Sequence, residues 1–158
     1  MGAKRRLRKQ LAEYLEWSDA HADFERAVDD LPARYRGRVP DGLPYSPWQL
    51  LEHMRLAQRD ILEYCTARQY EKKKWPDDYW PTDPEPPSAK AWDKSVAAFQ
   101  KDRAAFQKLI AEPDVDLLAE VPQGKNTYLR EVLLAADHTA YHIGQLIYAR
   151  RVLGAWKD

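Results

Sequence analysis

Cysteine occurs once in the 158 residues, as Cys65. A single cysteine excludes an intramolecular disulfide and fits a reducing compartment. Inside a helical pattern it reads as a packing residue. Net charge is missing as well, since Lys plus Arg and Asp plus Glu both number 25. No long-range field therefore gathers nucleic acid or an anionic membrane. The one basic run, Lys4, Arg5, Arg6, Arg8 and Lys9, has no base-reading motif beside it and reads as a solvated first turn of helix. No stretch reaches the ~20 apolar residues that span a bilayer, and the basic start lacks the apolar segment of a secretion signal. These absences predict a cytoplasmic protein with neither nucleic acid nor membrane as a partner. Strand signals, internal repeats and low-complexity tracts are also wanting. At 158 residues the chain is expected to be a single domain, 1–158, large enough to bury a core without staples.

Four long helical patterns carry most of the sequence. The first runs from about Ala3 to Asp30, with Leu7, Leu11, Tyr14, Leu15, Ser18, Ala22 and Val28 near one face and Pro32 just beyond it. The second opens at Ser46-Pro47-Trp48-Gln49. Ser46 can cap, proline suits the first helical position, and Gln49 completes a capping box. It continues to about Arg68, with a buried stripe of Leu50, His53, Met54, Ala57, Ile61, Tyr64 and Cys65. A third helix follows a cap at Ser88 and places Trp92, Val96, Phe99, Arg103, Phe106, Leu109 and Ile110 at helical spacing before Pro113. The fourth starts at a Thr127 cap and runs to about Leu153, where Gly154 ends it. Between the second and third helices, Pro76, Pro81, Pro84, Pro86 and Pro87 exclude a continuous helix. Trp75, Tyr79 and Trp80 suit that crossover to lying down on a surface or capping one end of a pocket. The expected fold is all-α, a four-helix bundle with one long Pro/Trp-rich crossover.

The chain has four histidines, and three of them, His53, His138 and His142, fall in the second and fourth of these patterns. His138 and His142 are four apart in the run Asp137-His138-Thr139-Ala140-Tyr141-His142, so their side chains leave one face of a helix and can share one ion. His53 points inward from the second helix. Three neutral imidazoles suit a divalent transition metal and leave a position open for water or substrate. Zinc ranks first and nickel second, since imidazole accepts several such ions. The plainer alternative is three core histidines satisfied by carboxylates and tyrosines. Candidates to orient the ligands are Gln145, three residues beyond His142, and, less favourably placed, Gln49, Glu52 and Tyr141. Asp137 reads as solvated, and Gly144 as allowing close approach of another element. His21 shares a face with Trp17, Phe24 and Val28. It reads either as a half-buried histidine bonded to Glu25 or a backbone carbonyl, or as a fourth ligand or proton-transfer group. Trp17, Trp48 and Trp92 are expected in the core, with Trp75, Trp80 and Trp156 able to line a pocket.

The segments Trp48-Gln49-Leu50-Leu51-Glu52-His53 and Asp137-His138-Thr139-Ala140-Tyr141-His142-Ile143-Gly144-Gln145 resemble those of the DinB-like superfamily of bacterial four-helix bundles. Asp19-Ala20-His21-Ala22, the proline-rich crossover and Arg150-Arg151-Val152-Leu153-Gly154-Ala155-Trp156 extend the likeness over nearly the whole chain. The resemblance implies a divalent metal held by His53, His138 and His142. It also implies, from the superfamily's characterised branches, a transferase that uses a low-molecular-weight thiol as a metal-activated thiolate against an electrophile. The alternatives are metal-assisted hydrolysis and a non-catalytic, stress-associated metal-binding or dimerising bundle. Relatives are often dimers, and Trp156 could serve a homodimer interface.

Overall fold

A computed structural model describes residues 2–157. Among them the chain forms six helices, α1 (Ala3–Tyr14), α2 (Phe24–Val28), α3 (Ala33–Arg36), α4 (Pro47–Thr66), α5 (Ala91–Ala111) and α6 (Tyr128–Val152). Four are long, and the described residues form no strand beyond one isolated antiparallel bridge, Glu120 to Thr127. None of these helices is long and apolar enough to cross a membrane. The all-α bundle expected from periodicity is therefore the observed architecture.

Side-chain pairings fix the helix directions. Ser95 meets Glu52, Gln58 donates to the Phe99 carbonyl and Arg59 pairs with Asp102, so residue numbers rise together and α4 and α5 run parallel. Parallel neighbours need a connection about as long as the bundle, which residues 67–90 provide. α6 runs the other way: His53 faces His142, while Ile61 and Cys65 share a cluster with Val132 and Ala135. α1 is antiparallel to α5, with Gln107 on the Ala12 carbonyl at 3.2 Å and Arg8 on the Ile110 carbonyl at 2.7 Å. Arg8 also reaches the Val115 carbonyl, so this member of the basic run satisfies backbone acceptors at the end of α5 instead of standing in solvent.

Local chemistry sets the boundaries of α4 and α6. The Ser46 hydroxyl accepts from Gln49 N–H, the Gln49 side chain accepts from Ser46 N–H, and Pro47 occupies the first position. Thr127 accepts from Arg130 N–H to cap α6, and Gly154, at φ 67°, takes the left-handed conformation that ends it. The third helix starts later than its pattern suggested. Lys90 precedes it without a side-chain cap, while Ser88 offers only its carbonyl, to Ala91 N–H.

The first helix differs most from expectation. In place of one helix over 3–30, α1 stops at Tyr14 and residues 15–23 leave the helical path before α2 begins. The Asp23 side chain accepts from Arg26 N–H and restarts the helix. The break lets α1 pack on α5 and α2 pack on α6, two directions that one straight rod cannot serve. Arg103 of α5 anchors the irregular segment by pairing with both Glu16 and Glu25. Trp17, expected in the core, lies in this segment and is 51% exposed. Trp48 and Trp92 are buried as expected.

The core has two lobes. Phe24, Leu31, Trp48, Leu51, Met54, Trp92, Phe99 and Leu146 form one, and Leu11, Leu15, Ile61, Leu62, Phe106, Ile110 and Val132 the other. Cys65 belongs to the second, where burial, with a smaller contribution from the Glu131 charge, pushes its thiol up to about 12. On α6 the lobes are separated by residues 137–142, which carry His138 and His142.

Gly144 does not serve close approach, because a Cβ built there meets nothing within 4 Å. It is an exposed glycine inside a long helix, where glycine is less favourable than alanine by roughly 0.5–1 kcal/mol. Gly144→Ala is accordingly expected to raise unfolding stability by about that amount, read from a urea midpoint; a destabilised variant would reveal a neighbour at this surface.

Candidate metal centre

α4 brings His53 to the bundle interior, and one turn of α6 presents His138 and His142 across from it. The His53 Nε2 lies 3.1 Å from His142 Nε2 and 3.0 Å from His138 Nε2. One potential ligand atom from each residue falls within 4.8 Å of the others. His53 and His142 are buried, and His138 is partly exposed. The three histidines singled out by helical spacing thus converge, and among the described residues no Cys, Asp or Glu joins the cluster.

The other ring nitrogens determine what these Nε2 atoms can do. His53 Nδ1 lies 2.9 Å from the Tyr79 carbonyl, which only accepts, so Nδ1 carries the proton and Nε2 presents a lone pair. Gln145 donates through Nε2 to the Tyr141 hydroxyl at 3.1 Å, which turns its Oε1 toward His142 Nδ1 at 2.7 Å. His142 Nδ1 is then also the protonated nitrogen. Two bare Nε2 lone pairs consequently face each other at 3.1 Å. That contact is repulsive unless a cation or proton lies between them. One divalent ion bonded to imidazoles at about 2.0–2.1 Å holds their nitrogens roughly 3.0–3.4 Å apart. The donor chemistry and the spacing both fit such an ion.

The site is also hard to protonate. Burial pushes His53 down to about 4, against the hydrogen bond to Tyr79 and with help from His142. Burial, then the neighbouring His142 and His53, push His138 down to about 3. Burial lowers His142 too, opposed by Gln145. Neutral imidazole is the metal-binding form.

A sequence comparison bears on the same residues. A family model of the DinB superfamily matches residues 16–146, a span that includes all three histidines. The chain belongs to the DinB superfamily. Comparison with curated proteins and with solved structures finds no match. Membership and the three-histidine cluster together fit a metal-binding protein.

The remaining candidates in this DinB-superfamily chain separate clearly. Gln145 orients His142 directly, and Tyr141 acts one step further out, through Gln145. Gln49 contributes indirectly, holding the Pro81 carbonyl of the crossover at 2.9 Å. Glu52 turns away to Arg55 and Ser95. Burial raises its carboxyl, but those hydrogen bonds outweigh the burial and leave it below the usual range. Asp137 is exposed, as a solvated residue should be. His21 is exposed in the segment between α1 and α2, its Nδ1 2.8 Å from the Ala22 carbonyl, so it is neither a fourth ligand nor part of the interior.

The crossover supplies what the spacing argument missed. Trp80 stacks on His53 with ring centroids 3.7 Å apart and on Tyr45 at 3.9 Å. Trp75, 66% exposed, presents its edge to His53. Trp156 instead lies under Arg26 and Arg150, away from the histidines. The Tyr79 contact was invisible because it uses a carbonyl, which every residue has; only the aromatic density of the segment hinted that it packs.

These shifts predict the pH response of metal-free protein. The folded histidines titrate below the ordinary value of 6.5, so below that pH the unfolded chain binds more protons. Stability present above pH 6.5 should be lost progressively as pH falls toward 4. Urea midpoints between pH 7 and 4.5 should fall more steeply for wild type than for His138→Gln; parallel profiles would show that the imidazoles are not held neutral.

Proposed function

We propose that the three histidines hold a divalent transition metal, zinc in first place and nickel in second, and that the chain is a transferase acting with a low-molecular-weight thiol. The observation that supports this reading most is the meeting of the His53 and His142 Nε2 lone pairs 3.1 Å apart beside His138, in a cluster containing no carboxylate among the described residues. A bound ion would supply Lewis acidity at its open position, lowering the pKa of a thiol or water there into the neutral range.

The chain's own residues favour thiol over water. Hydrolysis calls for a general base beside the attacking water. Glu52 is engaged by Arg55 and Ser95, and Asp60 by two tyrosine hydroxyls. A thiol with a lowered pKa releases its proton to solvent and needs no such base. It then forms a carbon–sulfur bond as the electrophile's leaving group departs with its electron pair. The chain's single thiol does not supply the sulfur, because Cys65 is buried in the far lobe with its thiol pushed up to about 12. The sulfur would come from a co-substrate. Trp75 and Tyr141, 66% and 64% exposed, flank the histidines.

Zinc-loaded protein is expected to accelerate conjugation of a small thiol, tested across glutathione, bacillithiol and mycothiol, with 1-chloro-2,4-dinitrobenzene. Acceleration should vanish on chelation and in His142→Ala. One tightly bound ion per chain without turnover of any thiol would contradict the transferase reading and favour a non-catalytic metal-binding bundle.

A further inference from the structure

We infer that Asp60 is a positioning residue for the histidine site, acting through Tyr79 to fix the tautomer and orientation of His53. Asp60 lies on α4 seven residues beyond His53, about 10 Å along the helix axis. It is a buried carboxylate, and its two oxygens receive two phenols of the crossover, Tyr79 at 2.6 Å on Oδ2 and Tyr70 at 2.9 Å on Oδ1. Tyr79 returns to the same helix at its other end, where its carbonyl takes the His53 Nδ1–H at 2.9 Å. One residue thus spans α4 between two points, hydroxyl on Asp60 and carbonyl on His53. Because Tyr has only two side-chain torsions, fixing the hydroxyl restricts where the carbonyl can lie. Burial and the Asp60 carboxylate both push the Tyr79 phenol up, so it remains a donor.

Within the crossover the Tyr79 N–H meets the Pro76 carbonyl at 3.0 Å, a local bond that does not tie the segment to α4. Gln49 holds Pro81 and Ser46 holds Pro84, both on the far side of Trp80 from Tyr79. Trp80 packs on the face of the His53 ring but cannot choose which nitrogen carries the proton. The Tyr79 carbonyl makes that choice, and Asp60 keeps it in place. The metal-affinity part of this inference rests on the metal reading above; the tautomer part stands on the hydrogen bonds alone.

The test compares wild type with Asp60→Asn, Tyr79→Phe and Tyr70→Phe. Long-range proton–nitrogen NMR spectra of the imidazoles in metal-free protein should show wild-type His53 as one tautomer, protonated at Nδ1. In Asp60→Asn and Tyr79→Phe, His53 should become a tautomer mixture while His142, held by Gln145, stays unchanged. The zinc dissociation constant should rise about 10- to 100-fold in both. Tyr70→Phe removes the other donor to Asp60 without touching the route to His53 and should leave both readings close to wild type. Tyr79→Phe keeps the ring, so the comparison survives if Asp60→Asn fails to fold. An unchanged His53 tautomer in Tyr79→Phe would overturn the inference, as would equal effects from Tyr70→Phe. Failure of wild type to take up zinc would overturn the metal reading instead, with the NMR spectra still deciding the role of Asp60.

Discussion

Two imidazole lone pairs 3.1 Å apart in a buried seam repel each other, and the organisation of the bundle's centre depends on that contact. In water each nitrogen would be solvated. Here burial lowers the affinity of all three rings for protons, pushing His53 down to about 4 and His138 down to about 3, so protonation relieves the repulsion less readily than it would in water. A divalent cation bound there would relieve it at neutral pH. Hydrogen bonds to the opposite nitrogens prevent escape by tautomer exchange, the Tyr79 carbonyl for His53 and the Gln145 amide oxygen for His142. His138, with its Nε2 3.0 Å from His53 Nε2, can donate to that nitrogen, but His53 and His142 both face each other as acceptors.

The crossover belongs to the site as much as the helices do. Parallel α4 and α5 require a long return, and this chain lays that return along α4. Ser46 and Gln49 hold its later part through the Pro84 and Pro81 carbonyls, and Asp60 holds its earlier part through Tyr70 and Tyr79. Its prolines prevent helix formation and leave carbonyls without helical partners, which the polar side chains of α4 and His53 itself then use. Topology and ligand orientation therefore share one segment.

Much of this could be read from residue order. Helical spacing placed His53, His138 and His142 inward, and Gln145 within reach of His142, because side chains three and four apart on a helix share a face. The capping box at Ser46 and the cap at Thr127 marked two helix starts that the structure keeps. Spacing failed where another force competes with it. Residues 15–23 carry a passable helical pattern, but the separate demands of α5 and α6, the Asp23 cap and the pull of Arg103 on Glu16 and Glu25 break the helix, moving His21 and Trp17 to the surface. The role of Gly144 was misread because a missing side chain does not say whether space is needed. Tyr79 escaped because its contribution to His53 is a backbone atom positioned by a distant carboxylate.

Zinc K-edge X-ray absorption on tag-free protein reconstituted with one equivalent of zinc tests the central claim most directly. Three imidazole nitrogens at about 2.0–2.1 Å, with a further light scatterer in the open position, is the predicted first shell. The imidazole signal should drop to two rings in His138→Ala. A shell of water oxygens without the outer-shell pattern of imidazole, or no zinc retained after dialysis, would contradict a metal centre at His53, His138 and His142.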